Sequence, residues 1–107
     1  MDRPERILGN VATRLLLEND RVRIWEMDLA PGARSATHRH QVDYVLVQIE
    51  GDRIAAMPEP DTGGAYTEYI EADVVPGKAR YIGRGGIETA INNIGQRRYR
   101  EILIELK

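Results

Sequence analysis

The stretch that decides the fold is GARSATHRHQVDYVLVQIEG, residues 32–51. It holds both histidines of the chain, His38 and His40, two positions apart. Residues i and i+2 of a strand point to the same face, so a strand here presents two imidazoles side by side. Two neutral imidazoles are half of a site for a first-row metal ion. A solvent-facing histidine pair at a strand end has the same local pattern, so the spacing alone leaves both interpretations open.

The rest of the chain repeats the two-residue period of this stretch. Apolar and polar residues alternate over four to eight positions, which is typical of half-buried strands. Turn-forming residues such as Pro31-Gly32 and Pro76-Gly77 separate these runs at short intervals. No window has a capped 3.6-residue stripe, so we expect an all-β fold with little helix. The alternating runs are residues 22–29, 44–50 and 101–106.

Length and composition narrow the function classes. The chain has 107 residues, which predicts one domain spanning residues 1–107. Fifteen basic and seventeen acidic residues give a net charge of −2, which argues against a nucleic-acid partner. The absence of cysteine excludes disulfides and thiolate metal sites. The charged start and the lack of a long apolar run predict a cytoplasmic protein with no membrane partner.

Two spacings in the sequence resemble the motifs of the cupin superfamily. Gly32, His38, His40, Tyr44 and Gly51 match the spacing of the first motif, with Tyr44 where the family has glutamate. The second motif falls on a matching grid with a glycine where the family has proline and Glu88 where it has histidine. Its positions are Gly77, Gly83, Gly85, Glu88 and Asn92.

This resemblance implies a small single-domain cupin-type β-barrel, a jelly roll of two antiparallel sheets. It also implies a homodimer, for which an exposed N-terminal strand at residues 12–17 is the candidate pairing edge. Cupins with intact motifs hold a metal with three histidines and one glutamate. Of these four positions, His38 and His40 keep the family residue, whereas Tyr44 and Glu88 do not.

The leading functional prediction is therefore a divalent-metal-dependent enzyme that acts on a small oxygen-rich metabolite, as a dioxygenase, lyase or isomerase. His38, His40 and Glu88 would hold iron, manganese, nickel or zinc, because two imidazoles and one carboxylate form the facial triad of non-haem iron enzymes. Glu88 and Tyr44 are the expected catalytic residues. The expected ligand-binding residues, which orient the small molecule or wall its pocket, are Trp25, Met27 and Gln48.

Two alternatives remain open from the sequence. The first is a non-catalytic cupin domain that binds or senses a small molecule without metal. The second is metal-free acid–base catalysis by Glu88, as in an isomerase or epimerase. Burial would raise the pKa of the Glu88 carboxyl group, and a histidinium neighbour would lower it. The sequence does not show which of these two effects is larger.

Overall fold

The computed structural model describes residues 12–36, 38–58, 68–84 and 87–107, and the side chains of residues 39, 58 and 87–90 lie outside this description. Gly85 of the second motif and the side chain of Glu88 therefore fall outside it. The described residues form strands and no helix, so none of them builds a helix that could cross a membrane. The strands are β1 (Arg14–Glu18), β2 (Val22–Leu29), β3 (His38–Arg39), β4 (Tyr44–Glu50), β5 (Arg53–Pro58), β6 (Ile70–Asp73), β7 (Ala79–Ile82), β8 (Ile87–Asn93) and β9 (Tyr99–Leu106).

The strands pair into two antiparallel sheets. One has the order β1-β2-β9-β4-β7 and the other the order β3-β8-β5-β6. This confirms the predicted all-β jelly roll of two antiparallel sheets. The expectation of a closed barrel is corrected, because the pairings between described strands do not join one sheet to the other. The two sheets instead face each other as layers, and side chains rather than hydrogen bonds fill the space between them.

The apolar core lies between the layers. The five-stranded sheet contributes most of its fully buried side chains, including Met27, Leu29, Tyr99 and Leu103. Ile54 and Ile91 from the opposite sheet pack against this cluster. Burial of apolar surface contributes roughly 25 cal/mol per Å², so these facing side chains hold the two layers together.

Strand β2 shows how an apparent change of phase in the sequence fits a regular strand. Its register with β9 runs without interruption from Val22↔Leu106 to Leu29↔Tyr99. The apolar residues at the start of β2 therefore face away from the core, and Trp25, Met27 and Leu29 face into it. The apolar residues lie on the outer face at the start of β2 and on the inner face from Trp25 onward, while the pairing with β9 keeps one register.

Strand β9 places its glutamates inward. Tyr99, Glu101, Leu103 and Glu105 are buried, while the isoleucines between them, at 102 and 104, are only half-buried. Strand β4 does the same with Gln48, which is buried on the face shared with Tyr44. The interior of this sheet is thus partly polar, which is unusual for a small sandwich and marks where the site lies.

Strand β1 lies at the edge of the five-stranded sheet. Its three leucines, Leu15, Leu16 and Leu17, are 43–47% exposed. An exposed apolar edge strand suits pairing with another strand. The homodimer itself stays a prediction.

Candidate functional site

The two histidines lie buried side by side, as their spacing predicts. His38 is 1% exposed and His40 is 2% exposed, so the solvent-facing interpretation of the pair is wrong. Their Nε2 atoms are 3.2 Å apart, and the rings meet edge to face with centroids 4.8 Å apart. Two ring nitrogens thus converge on one point inside the protein.

The backbone sets the tautomer of His38. Its Nδ1 lies 2.8 Å from the carbonyl oxygen of Ala36. A carbonyl oxygen can only accept a hydrogen bond, so Nδ1 carries the proton when the ring is neutral. The lone pair of His38 is then on Nε2, the atom that points at His40. A hydrogen bond from the second ring nitrogen is also how proteins orient histidines that bind metals.

Tyr44 supports the ring of His40 from one side. The two rings stack with centroids 4.1 Å apart and planes 20° from parallel. Tyr44 is 2% exposed and lines the same cavity as the histidines. At the motif position where cupins have a ligating glutamate, this chain has a side chain that holds a histidine in place.

The distance between the histidines fits a shared metal ion. Two imidazole nitrogens bound at about 2.0–2.1 Å to one ion lie roughly 3 Å apart when they occupy neighbouring positions, and the observed separation is 3.2 Å. Among the side chains that the structure describes, no third histidine, aspartate or glutamate completes a group of three. Glu88 is directly opposite His38 in the pairing of β3 with β8.

A cavity of about 90 Å³ lies next to the histidine pair, between the two sheets. Its wall includes Tyr44, which was predicted to be catalytic, and Gln48 and Met27, which were predicted to bind a ligand. Gln48 is held on both ends of its amide, because Oε1 accepts from the backbone N–H of Val75 at 3.0 Å and Nε2 points to the Tyr99 hydroxyl at 3.5 Å. The wall therefore offers fixed polar groups in a mostly apolar space.

Trp25, also predicted to wall the pocket, has a different place. It faces inward on β2 like Met27, but it lies outside the cavity lining and belongs to the core. Its indole N–H donates to a carboxylate oxygen of Glu105 at 2.6 Å. In this structure Trp25 therefore serves as the hydrogen-bond donor of the buried Glu105 carboxylate.

Sequence reasoning missed two residues of the site, Tyr99 and Glu101. Both are buried in the cavity wall, and the Tyr99 hydroxyl donates a hydrogen bond to Glu101. The signal was the alternation of residues 99–106, in which tyrosine and two glutamates share one phase. A glutamate in a strand is normally assigned to the solvent side, so this phase did not mark them as site residues.

Comparison with known proteins supports the fold. No protein-family model and no curated protein matches the sequence. Among solved structures, a cupin domain from Bordetella pertussis Tohama I matches at 22% identity, with 100% of this chain and 98% of that chain covered and a TM-score of 0.72.

Two enzymes of known activity also match in structure. One is the polyketide cyclase RemF from Streptomyces resistomycificus, at 19% identity and a TM-score of 0.59, with 82% of this chain and 56% of that chain covered. The other is an oxalate oxidase in complex with the substrate analogue glycolate, at 20% identity and a TM-score of 0.57, with 78% of this chain and 40% of that chain covered. Likeness at this level of identity speaks for fold and not for activity. Together with the buried histidine pair, it shows that this chain has the cupin fold.

Proposed function

We propose that this chain is a metal-dependent cupin enzyme that acts on a small oxygen-rich molecule. His38 and His40 bind a divalent first-row metal ion, with Glu88 as the third donor. The observation that carries the proposal is the 3.2 Å separation of two buried Nε2 atoms beside a cavity. The two Nε2 atoms lie within hydrogen-bond distance of each other, and a shared metal ion would replace that contact by one bond to each nitrogen.

The register of the strands supports Glu88 as the third donor. It is paired directly with His38 across the β3–β8 ladder. Opposite positions of an antiparallel pair are the nearest cross-strand neighbours. Two imidazoles and one carboxylate suit iron, manganese, nickel or zinc and leave positions open for a bound molecule. When bound, such an ion supplies a Lewis acid that polarises an oxygen atom of that molecule.

The chain's own residues prepare the site. The Ala36 carbonyl oxygen keeps the proton of His38 on Nδ1, so that Nε2 stays a donor atom. The stacked ring of Tyr44 fixes the plane of His40. Met27 and Leu103, both buried in the cavity wall, exclude water from the space in front of the histidines. Gln48 and Tyr99 offer fixed polar groups to whatever binds there.

The structural neighbours support the fold and leave the activity open. An oxalate oxidase and a polyketide cyclase have similar folds, so the same scaffold serves unrelated chemistries. A second candidate is a non-catalytic domain that binds a small molecule without metal. It is favoured by the described side chains, which supply two metal donors and no third.

Elemental analysis and titration calorimetry with Mn²⁺, Fe²⁺, Ni²⁺ and Zn²⁺ test the proposal. We expect one ion per chain, and an affinity at least about 100-fold weaker in His38→Ala and His40→Ala, because each removes a ligand. Gln41→Ala, an exposed change in the same segment, is the matched control and keeps the wild-type affinity. Glu88→Gln tests the third donor and should weaken binding by about 10-fold or more.

Binding also has to stabilise the fold. An ion present at about 100 times its Kd adds roughly 2.7 kcal/mol to the free energy of unfolding, so the wild-type Tm rises while that of the double histidine variant does not. Substoichiometric metal in the wild type, unchanged in the double variant and not restored by any of the four ions, would favour the non-catalytic candidate.

A further inference from the structure

We infer that the outer face of the five-stranded sheet is a docking surface for a second copy of this chain. The contact is centred on a row of apolar and aromatic side chains, the outer row, which crosses all five strands. In the order β1, β2, β9, β4 and β7, the outer row consists of Leu17, Ile24, Ile104, Val45 and Tyr81. None of these residues lines the cavity, so this dimer does not depend on the proposed metal site.

The strand register places the outer row on one face. Ile104, on the central strand, is paired with Ile24 on one side and with Val45 on the other. The row continues to both edges of the sheet, because Leu17 is opposite Ile24 and Tyr81 is opposite Val45. Residues directly opposite each other in an antiparallel pair project from the same face and contact each other.

This face points away from the other sheet. Trp25 and Leu103 belong to the buried core between the two layers. Successive residues of a strand point to opposite faces, so their neighbours Ile24 and Ile104 point outward. The four-stranded sheet packs on the inner side, and none of the strands in the described part of the chain forms a third layer over the outer row.

The distribution of polarity in this sheet is the reverse of the usual one. A two-layer antiparallel fold normally has polar residues on its solvent side and apolar residues inside. Here Gln48, Glu101 and Glu105 are buried on the inner face. The outer face has apolar residues on either side of the outer row as well, and these are Val22, Val47, Ala79, Ile102 and Leu106. Such a continuous apolar face indicates a contact surface.

The charges that border the outer row are balanced within the chain. Glu26 forms ion pairs with Arg14 at 3.2 Å and with Arg100 at 2.9 Å. Asp28 is paired with Arg98. A partner therefore needs no excess of either charge, and a second neutral apolar face bordered by the same ion pairs is the matching surface. A two-fold contact uses one patch on both copies, and an apolar centre with a polar rim is typical of it.

The area of this face is sufficient for a weak dimer. Five strands about 4.8 Å apart and three same-face positions about 6.8 Å apart give a footprint of roughly 24 by 20 Å on each copy. Two copies together bury about 1,000 Å², which is near the lower limit for a specific interface. We therefore expect a Kd of about 1–100 µM.

Sedimentation equilibrium of the full chain, from about 1 µM to 1 mM, measures this Kd. Ile104 lies in the middle of the outer row, so a two-fold contact brings the two Ile104 side chains near each other. Ile104→Lys should weaken the dimer at least about 100-fold, because it places two like charges at the centre. Ile104→Thr keeps a β-branched residue and should weaken it about tenfold. Circular dichroism and the Tm show whether each variant is folded.

Two leucines of β1 give a matched pair for the edge of the contact. Leu17 is 47% exposed and lies in the outer row, whereas Leu15 is 43% exposed and is paired with the inward-facing Trp25. Leu17→Lys should weaken the dimer about tenfold, and Leu15→Lys should leave it unchanged. A dimer made by pairing of the β1 edges would respond to both leucine variants alike and would not respond to Ile104→Lys.

A mixture of opposite charges tests the contact directly. Ile104→Lys and Ile104→Glu should each be monomeric alone and should form a heterodimer when mixed, because the central charges then attract. Formation of that heterodimer, with Leu15→Lys like the wild type, supports the face-to-face dimer. A wild type that stays monomeric up to about 1 mM would overturn it. Wild-type dimerisation in folded Ile104→Lys and Ile104→Thr would overturn it as well, as would equal weakening by the two leucine variants.

Discussion

Gly51, the last glycine of the first motif, has a positive φ and lies directly against Tyr99 in the cavity wall. Its φ is +137°, where residues with a side chain are strained, and a Cβ added there would lie 2.9 Å from Cδ1 of Tyr99 and 3.3 Å from Cγ2 of Val74. Backbone strain of this kind costs about 1–3 kcal/mol, and overpacking costs about another 1–3 kcal/mol. Reduced freedom of the unfolded chain returns about 0.4–1 kcal/mol.

Gly51→Ala should therefore lower the free energy of unfolding by about 1–6 kcal/mol, which for a domain of this size lowers the Tm by roughly 4–22 °C. Urea denaturation followed by circular dichroism measures it. Two other glycines separate the two causes. Gly77 has a φ of +86° with no atom within 4 Å of an added Cβ, so Gly77→Ala should show the strain alone.

Gly83 has neither a positive φ nor a neighbour within 4 Å, so Gly83→Ala should be neutral or slightly stabilising. The expected order of stability is Gly83→Ala, then Gly77→Ala, then Gly51→Ala. Equal stability of the Gly51 and Gly77 variants, to within about 0.5 kcal/mol, would show that the close approach to Tyr99 carries no energy and would refute the reasoning.

Two further predictions concern the strand ends and the histidine ring. Asp43 accepts hydrogen bonds from the Tyr81 hydroxyl and from Arg84, which lowers the pKa of its carboxyl group to about 2. The stabilisation that the ionised Asp43 carboxylate contributes is complete above its unfolded pKa and is lost as the pH falls toward 2. Asp43→Asn should therefore lower the Tm at pH 7, and the Tm values of the variant and the wild type should converge in acid. A Tm difference that persists unchanged at pH 2 would contradict this. Because Tyr44 holds the ring of His40 by stacking, Tyr44→Phe should keep the metal affinity and Tyr44→Leu should lower it about tenfold, as titration with Mn²⁺ would show. Equal affinities for the two variants would mean that the stacking has no role in metal binding.

Much of the fold was predictable because strand formation depends on local alternation. The runs at residues 22–29, 44–50 and 101–106 all lie in strands. The direction in which each alternation faces was harder to predict. A period of two separates two faces without saying which one is inward, and residues 99–106 turn their glutamates rather than their isoleucines toward the interior.

The residues of the site likewise include some that the local sequence predicts and others that it does not. Two histidines two residues apart on one strand share a face for local reasons, so their pairing could be predicted. Glu101, Lys78 and Arg80 reach the same cavity from β9 and from the β7 region, far apart in sequence. No spacing rule links these positions, because the antiparallel pairing of β4 with both β7 and β9 is what brings them together.

By itself, the sequence determined the all-β class, the cupin motif spacing and the histidine pair, since each depends on residues close along the chain. The tertiary structure decided that the layers stay two open sheets, that Trp25 packs in the core and that buried Glu101 lines the same cavity as the histidines. These features depend on which faces of distant strands are pressed together. That choice is made by the packing of the two sheets over the whole molecule, and no single segment encodes it.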